Sequence, residues 1–285
     1  MDLKRALQGL QPQSRRGDDA ARRAVPRAPL IEVFHSVQGE GRFVGVPMTF
    51  LRTATCPLRC LYCDTPHSYT AAATFPVRFG HRTAAEPNPV AADRAAELVR
   101  QVAAADTGCR TPRLSITGGE PLVFPEFVRD LGQAVRQRGM RVHLETAAIH
   151  PAALAVCVEQ VDHLSADYKL PETLGAPADG LAATPPAGFG ARHRECCELA
   201  LRRGATVDVK VVLTDRVLDP SFERVLEDLA PVRDRILLVL QPVTPFGAAK
   251  APVARTELER FAAAAVRASF DVRVLPQVHK VLQLP

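Results

Sequence analysis

Tryptophan is absent, and aromatic residues make up only 5% of the 285 residues. So few flat side chains leave few platforms on which unpaired bases could stack. No apolar run approaches the ~18 residues that a membrane-spanning helix requires. The N-terminus has no apolar stretch of the signal-peptide kind, and Arg15-Arg16 leads into Gly17-Asp18-Asp19 instead of the hydrophobic segment of a twin-arginine signal. These absences predict a soluble, cytoplasmic protein that neither crosses nor coats a membrane.

Charge of one sign is also scarce once its position is considered. The formal net charge is +5, but residues 1–28 hold seven Lys/Arg against three Asp/Glu, a local +4 that leaves +1 for the rest. The basic, Ala/Arg/Gln-rich segment 1–30 reads as a disordered arm, and nucleic acid is not expected as a partner. With 47% hydrophobic residues and a mean hydropathy of -0.02, the remainder has enough apolar content for a core, which excludes a chain disordered throughout.

Seven cysteines is an odd number, and their spacing is not that of a disulfide framework. Cys196 and Cys197 are adjacent, a poor geometry for a bridge. With Cys109 and Cys157 they read as ordinary thiols. Cys56, Cys60 and Cys63 form a C-x3-C-x2-C run, and clustered cysteines in a reducing compartment read as metal or redox ligands. Three thiolates on one short loop can hold three irons of a cuboidal [4Fe-4S] cluster, leaving the fourth iron open. The alternative is structural zinc, which takes four Cys/His ligands and usually paired knuckles. No second knuckle exists, and His67 is the candidate fourth ligand.

Helical spacing recurs at 91–105, 125–138, 150–158, 191–203, 219–229 and 256–268. Short apolar runs alternate with these at Met48–Arg52, Leu114–Thr117, Val142–Glu145, His163–Ser165, Val207–Leu213, Ile236–Leu240 and Val272–Leu275. Strand and helix alternation predicts right-handed βαβ units and a mainly parallel sheet, closed or partly closed into a (β/α) barrel. Residues 70–90 read as a variable loop and 171–190 as an inserted loop, which leaves 31–285 as the core domain. Several strands end in polar residues, and in parallel barrels that end carries the chemistry.

The cysteine run after a first strand resembles the signature of radical S-adenosylmethionine enzymes. Tyr62 stands at their customary aromatic position, and Thr117-Gly-Gly-Glu-Pro121 resembles their glycine-rich second-strand end. A closer resemblance is to the 7-carboxy-7-deazaguanine synthase family. It rests on Glu32-Val-Phe-His-Ser-Val-Gln-Gly-Glu-Gly41, Phe50-Leu-Arg-Thr-Ala-Thr-Cys56, Cys63-Asp64-Thr65, Ser165 with Lys169, Leu240-Gln-Pro242 and Pro276-Gln-Val-His-Lys280. Two departures stand out. Residue 55 is Thr where Gly is usual, and the usual E-T-N-G is Glu145-Thr-Ala-Ala148.

The resemblance implies a lyase that contracts the ring of 6-carboxy-5,6,7,8-tetrahydropterin to 7-carboxy-7-deazaguanine with loss of ammonia, in queuosine-type 7-deazapurine biosynthesis. It implies a [4Fe-4S] cluster on Cys56, Cys60 and Cys63, S-adenosylmethionine as a regenerated cofactor, and Mg2+ at Thr65. S-adenosylmethionine is expected against Tyr62, Cys63, Asp64, Gly118, Gly119, Glu120, Ser165, Lys169 and Gln241. The pterin is expected against Val37, Gln38, Gly39, Arg52, Thr117, His279 and Pro285, with the Pro285 carboxylate as a ligand for its N–H donors. A flavodoxin or ferredoxin as electron donor and a homodimer are further expectations. Two rival readings are a glycyl-radical-activating enzyme of the same superfamily and an iron–sulfur or zinc protein that binds nucleic acid through the arm.

Overall fold

The computed structural model describes residues 25–105, 113–175 and 188–285. Residues 1–24 of the expected arm, Cys109, and 176–187 of the expected insertion lie outside the described residues. Ten strands form one mixed sheet: β2 (Leu30–Val37), β3 (Pro47–Thr53), β4 (Thr74–Phe79), β5 (Arg82–Pro87), β7 (Arg113–Gly118), β8 (Arg141–Thr146), β9 (His163–Tyr168), β10 (Thr206–Leu213), β11 (Ile236–Pro242) and β12 (Asp271–Val274). A two-stranded pair, β1 (Arg27–Ala28) with β6 (Val90–Ala91), lies beside it. The sheet order is β12-β11-β10-β9-β8-β7-β3-β2-β4-β5. From β3 to β12 all neighbours are parallel, so the seven expected strands form one run. Among the described residues the sheet has two free edges, and the barrel is partial.

The connecting helices are α1 (Ala92–Ala105), α2 (Pro125–Arg136), α3 (Pro151–Cys157), α4 (Phe189–Arg202), α5 (Asp219–Leu229) and α6 (Arg255–Arg267), with a short α7 (Val278–Val281) near the end. From α1 to α5 each packs on the next, and α6 packs on β11 and β12. This one-sided layer follows from repeated right-handed crossovers. It covers the sheet face formed by Leu114 and Ile116, Val142 and Leu144, Leu164 and Ala166, Val207, Val209 and Val211, and Leu238 and Leu240, all in the main core. Because side chains alternate along a strand, the opposite face carries Ser115 and Thr117, His143 and Glu145, Ser165 and Asp167, Asp208 and Lys210, and Gln241.

Three expectations about the margins need correction. The order begins before residue 31, because Ala28 and Leu30 are fully buried and Arg27–Ala28 pairs with Val90–Ala91. The segment 70–90 is a β-hairpin on the sheet edge. In β4 Phe75 and Val77 face the core while Pro76 and Arg78 are exposed, an alternation hidden by the Pro and Gly loop signals. Gly80, at φ 58, makes the turn. Finally, α4 starts at Phe189, whose buried ring stacks edge-on against Tyr168 at 4.9 Å.

Two non-glycine residues beside the strand ends have left-handed backbone, Thr55 (φ 75) and Ala148 (φ 53). These are the places where the sequence departs from the family's usual glycines. Thr55 is held there by its N–H to Ser68 O (2.6 Å) and by its carbonyl accepting from Glu120 N (2.8 Å). A left-handed residue with a Cβ costs about 1–2 kcal/mol, and glycine's extra freedom in the unfolded chain takes back about 0.4–1 kcal/mol. Thr55→Gly is therefore expected to stabilise the protein by about 0.5–1 kcal/mol and raise the melting temperature by about 2 °C. Calorimetry checks this, and a lower melting temperature contradicts it.

Candidate active site

One cavity opens at the C-terminal ends of the parallel strands. Its walls are the cysteine loop after β3, the loop between β2 and β3, the ends of β7 to β11, and the C-terminal segment.

Cys56, Cys60 and Cys63 all line this cavity and none is bridged. Their loop is shaped from within: Cys63 N–H donates to Cys60 O (3.1 Å), and Arg59 donates to Cys56 O (2.7 Å) and Leu58 O (2.9 Å). The Arg59 guanidinium also lies 4.0 Å over the Tyr69 ring. Distant chain clamps it from outside, through Leu61 N to Thr173 O (2.9 Å), Gly175 N to Arg59 O (2.7 Å) and Ala248 N to Leu61 O (2.9 Å). Burial pushes the Cys56 thiol up to about 12 and raises that of Cys60, because desolvation disfavours the charged thiolate. His67 is exposed and lies outside the lining, so it is not placed to complete a zinc site. Among the described residues no three Cys, His, Asp or Glu are grouped to hold a single metal ion. Three unbridged thiols spread around one cavity fit the multi-iron body of a [4Fe-4S] cluster.

The glycines of Thr117-Gly-Gly-Glu-Pro121 serve a tight docking of β7's end on that loop. Gly118 has φ 112 and Gly119 N–H donates to Thr53 O at 2.8 Å. A Cβ on either would overlap the backbone of Thr53 or Thr55. The close approach is thus made to the chain's own backbone as well as to the cavity. Glu120 lines the cavity, but its carboxyl is fully engaged. It accepts from Thr146 Oγ1 (2.5 Å), Ala147 N (2.9 Å) and Leu122 N (3.0 Å), and burial raises its pKa despite these bonds. It braces the end of β8.

The floor is a row of buried charges from the polar face of the sheet. Lys210 is ion-paired with Glu40 and with Asp167 Oδ1 (3.0 Å), and Asp167 Oδ2 pairs with Lys169 (3.0 Å). Burial alone would neutralise Lys210, Asp167 and Lys169, but their partners outweigh it. Asp167 stays below the ordinary carboxylate range, and both lysines sit above the ordinary lysine range. Glu145 accepts from Gln38 Nε2 and Ser115 Oγ at 2.8 and 2.9 Å, and His143 and Lys210 hold it ionised against burial. Lys169 Nζ lies 5.6 Å from the Tyr62 ring centre. Gln241, one of the lining residues, donates to Glu40 Oε1 (3.3 Å), while its own buried Oε1 has no hydrogen-bond partner. Such an orphaned acceptor fits a ligand donor, as S-adenosylmethionine would bring.

Ser165 is the one expected site residue outside the lining. Strand β9 runs on to Tyr168, so Ser165 lies buried in register between Glu145 and Asp208, and Asp167 takes the place at the strand end.

The opening and closing motifs meet face to face. Val278 N–H donates to Gly39 O (2.9 Å) and Gln277 Nε2 to Glu40 Oε1 (2.8 Å). A Cβ on Gly39 would overlap the His279 imidazole, so only glycine allows the contact. Val37, Gln38, Gly39 and His279 all line the cavity. Arg52, beside Thr117 in register, donates to Glu32 Oε1 (2.9 Å), while Arg78 holds Glu32 Oε2 (3.0 Å). One carboxylate between two guanidiniums leaves a surplus positive charge at the cavity wall. Thr65 Oγ1 donates to Asp64 Oδ1 (2.9 Å), whose Oδ2 pairs with Lys280 (2.9 Å). Pro285 reaches the rim, where its carbonyl oxygen accepts from Ser36 Oγ (3.2 Å).

Sequence reasoning left Glu40, Glu145, Asp167, Lys210 and Gln277 without a site role. The available signal was a charge at alternate positions of an apolar strand, clearest in Val-Asp-Val-Lys-Val of β10.

The radical SAM superfamily profile matches residues 50–169. A 7-carboxy-7-deazaguanine synthase from Geobacter sulfurreducens is 35% identical over 264 residues, 90% of this chain and 98% of that protein. One from Methanopyrus kandleri is 34% identical over 263 residues, 91% of this chain and 95% of its own. The crystal structure of QueE from Escherichia coli superposes with a TM-score of 0.58 at 21% identity, covering 89% of this chain and 95% of that one. No helix among the described residues is long and apolar enough to cross a membrane. Matched over nearly its full length, this chain belongs to the 7-carboxy-7-deazaguanine synthase family of radical SAM enzymes.

Proposed function

We infer that the chain is a radical SAM lyase that converts 6-carboxy-5,6,7,8-tetrahydropterin to 7-carboxy-7-deazaguanine and ammonia, for 7-deazapurine biosynthesis of the queuosine type. The carrying observation is that the opening loop at Gln38–Glu40 and the closing segment at Gln277–His279 wall the same cavity as the three cysteines. A glycyl-radical activator has no need of this pairing around a small cavity. The nucleic-acid reading rests on the basic arm, residues 1–30, of which 1–24 lie outside the described residues.

Substrate and product differ by ammonia alone, so the conversion is neither an oxidation nor a reduction overall. When bound, the [4Fe-4S] cluster and S-adenosylmethionine supply the hydrogen-abstracting radical chemistry. Cys56, Cys60 and Cys63 would hold the cluster. Gly118, Gly119, Glu120, Tyr62, Cys63, Asp64, Lys169 and Gln241 lie where S-adenosylmethionine would bind. The chain's own work is to orient and enclose. Arg52, with its surplus charge, grips the substrate carboxylate. Gln38, Gly39, Thr117 and His279 offer hydrogen-bonding edges to the pterin ring, and Glu145, kept ionised, is a permanent acceptor for ring N–H groups. Mg2+ takes hard oxygen ligands and keeps waters, and the Thr65 hydroxyl beside Asp64 presents such oxygens at the wall. An external reductant, flavodoxin or ferredoxin in kind, completes the system.

The direct test is anaerobic incubation of the cluster-loaded enzyme with the carboxypterin, S-adenosylmethionine and a reductant, watching for the deazaguanine chromophore. No product under these conditions overturns the assignment. Changing any one of Cys56, Cys60 or Cys63 to Ala is expected to abolish both iron loading and turnover, whereas Cys196→Ala leaves iron per chain unchanged; elemental analysis decides. Losing a charge-assisted pair is worth about 1.5–3 kcal/mol, so Arg52→Gln should raise KM for the carboxypterin about 10–100-fold. Binding of a pterin without the carboxylate should change little, and an equal loss for both would remove the carboxylate role. Added Mg2+ should accelerate turnover and Thr65→Ala should blunt that response; a rate indifferent to chelation, in enzyme shown by elemental analysis to be Mg2+-free, counts against the Mg2+ site.

A further inference from the structure

Lys210 is charged, sits in the middle of an apolar strand, is 6% exposed, and is assigned no role by the motifs. Its two flanking strands are β9 and β11, so it is interior to the parallel run. Its ammonium group joins two carboxylates that belong to different walls. Glu40 comes from the loop between β2 and β3, where it also accepts from Gln277 Nε2 (2.8 Å) and Gln241 Nε2 (3.3 Å). Asp167 comes from the end of β9, where its other oxygen holds Lys169 at 3.0 Å. The result is one continuous chain, Gln277–Glu40–Lys210–Asp167–Lys169, running under the cavity from the C-terminal segment to the neighbourhood of Tyr62 and Cys60.

We propose that Lys210 is a positioning residue that holds the pterin wall and the S-adenosylmethionine wall in register. Its ammonium donates to Glu40 Oε2 and pairs ionically with Asp167 Oδ1, so it acts through these carboxylates. Among the described residues neither carboxylate has a second cation on the same oxygen: Glu40 has amides on its other oxygen, and Lys169 occupies the other oxygen of Asp167. A buried ion whose partner is removed is strongly destabilised in its position. Without the ammonium, Glu40 would be left without a cation and Asp167 with Lys169 alone, and each wall would lose the anchor that fixes it relative to the other.

This inference rests on the functional reading above, and its test separates the two. Binding of S-adenosylmethionine and of the unreactive oxidised analogue 6-carboxypterin is measured separately on anaerobic, cluster-loaded protein. Iron per chain and thermal unfolding are recorded for each variant. In Lys210→Met, which keeps the apolar stem, both affinities are expected to fall at least tenfold with iron content unchanged. Lys210→Arg should restore most of each. Glu40→Gln should weaken the pterin alone, and Asp167→Asn should weaken S-adenosylmethionine alone, a division that general loss of stability does not produce. If Lys210→Met keeps either affinity within twofold of the parent, the proposal is wrong. If Lys210→Met does not fold, the two carboxylate variants decide, and equal loss of both ligands in each overturns it. Failure of the unaltered enzyme to bind 6-carboxypterin instead overturns the functional reading, and this inference with it.

Discussion

Strand alternation in a sheet covered on one side only is the constraint from which the site follows. Helices α1 to α6 bury one face, so the inward positions of β7 to β11 are apolar almost without exception. The positions between them point away from that core, and there the sequence places hydroxyls, imidazoles, carboxylates and an ammonium. A two-sided α/β sheet would have buried these strands on both faces and made them continuously apolar. Here the second face is free to become the floor of a reaction chamber.

Chambers of this kind need a lining that stays polar without drifting, and charge pairing supplies the stiffness. Lone buried carboxylates would take up protons and lone buried lysines would lose them. In this interleaved row Lys210, Asp167 and Lys169 each keep their charge because their neighbours favour it more than burial penalises it. The same floor extends beneath Gln38 through His143, whose ring stacks on His163 at 4.7 Å, with Phe43 edge-on to both. The β2–β3 loop is thereby seated on a rigid base.

Much of this was legible in the chain itself. The parallel strands follow from short apolar runs separated by helical spacing, and the cysteine loop from three sulfurs in eight residues. Less legible was the edge hairpin β4–β5, because Pro76 and Gly80 carry loop signals while the alternation of Phe75 and Val77 is only two residues long. Ser165 shows a different limit. A polar residue near a strand end marks the site only if the strand stops there, and β9 continues through a further turn of alternation. The residues most easily overlooked were Glu40 and Lys210, 170 positions apart in sequence, whose meeting depends on tertiary closure that no local pattern encodes. Thr55 and Ala148 run the other way, since both exceptions to the family pattern fell where the backbone is left-handed.

The cysteine loop takes its final form from partners far along the chain. Thr173 and Gly175 grip one strand of it, and Ala248 grips Leu61 between the second and third thiols. A growing polypeptide carries all three sulfurs long before it carries residue 248. The mature shape of the loop is therefore reached only once residue 248 has joined the chain and folded back onto Leu61.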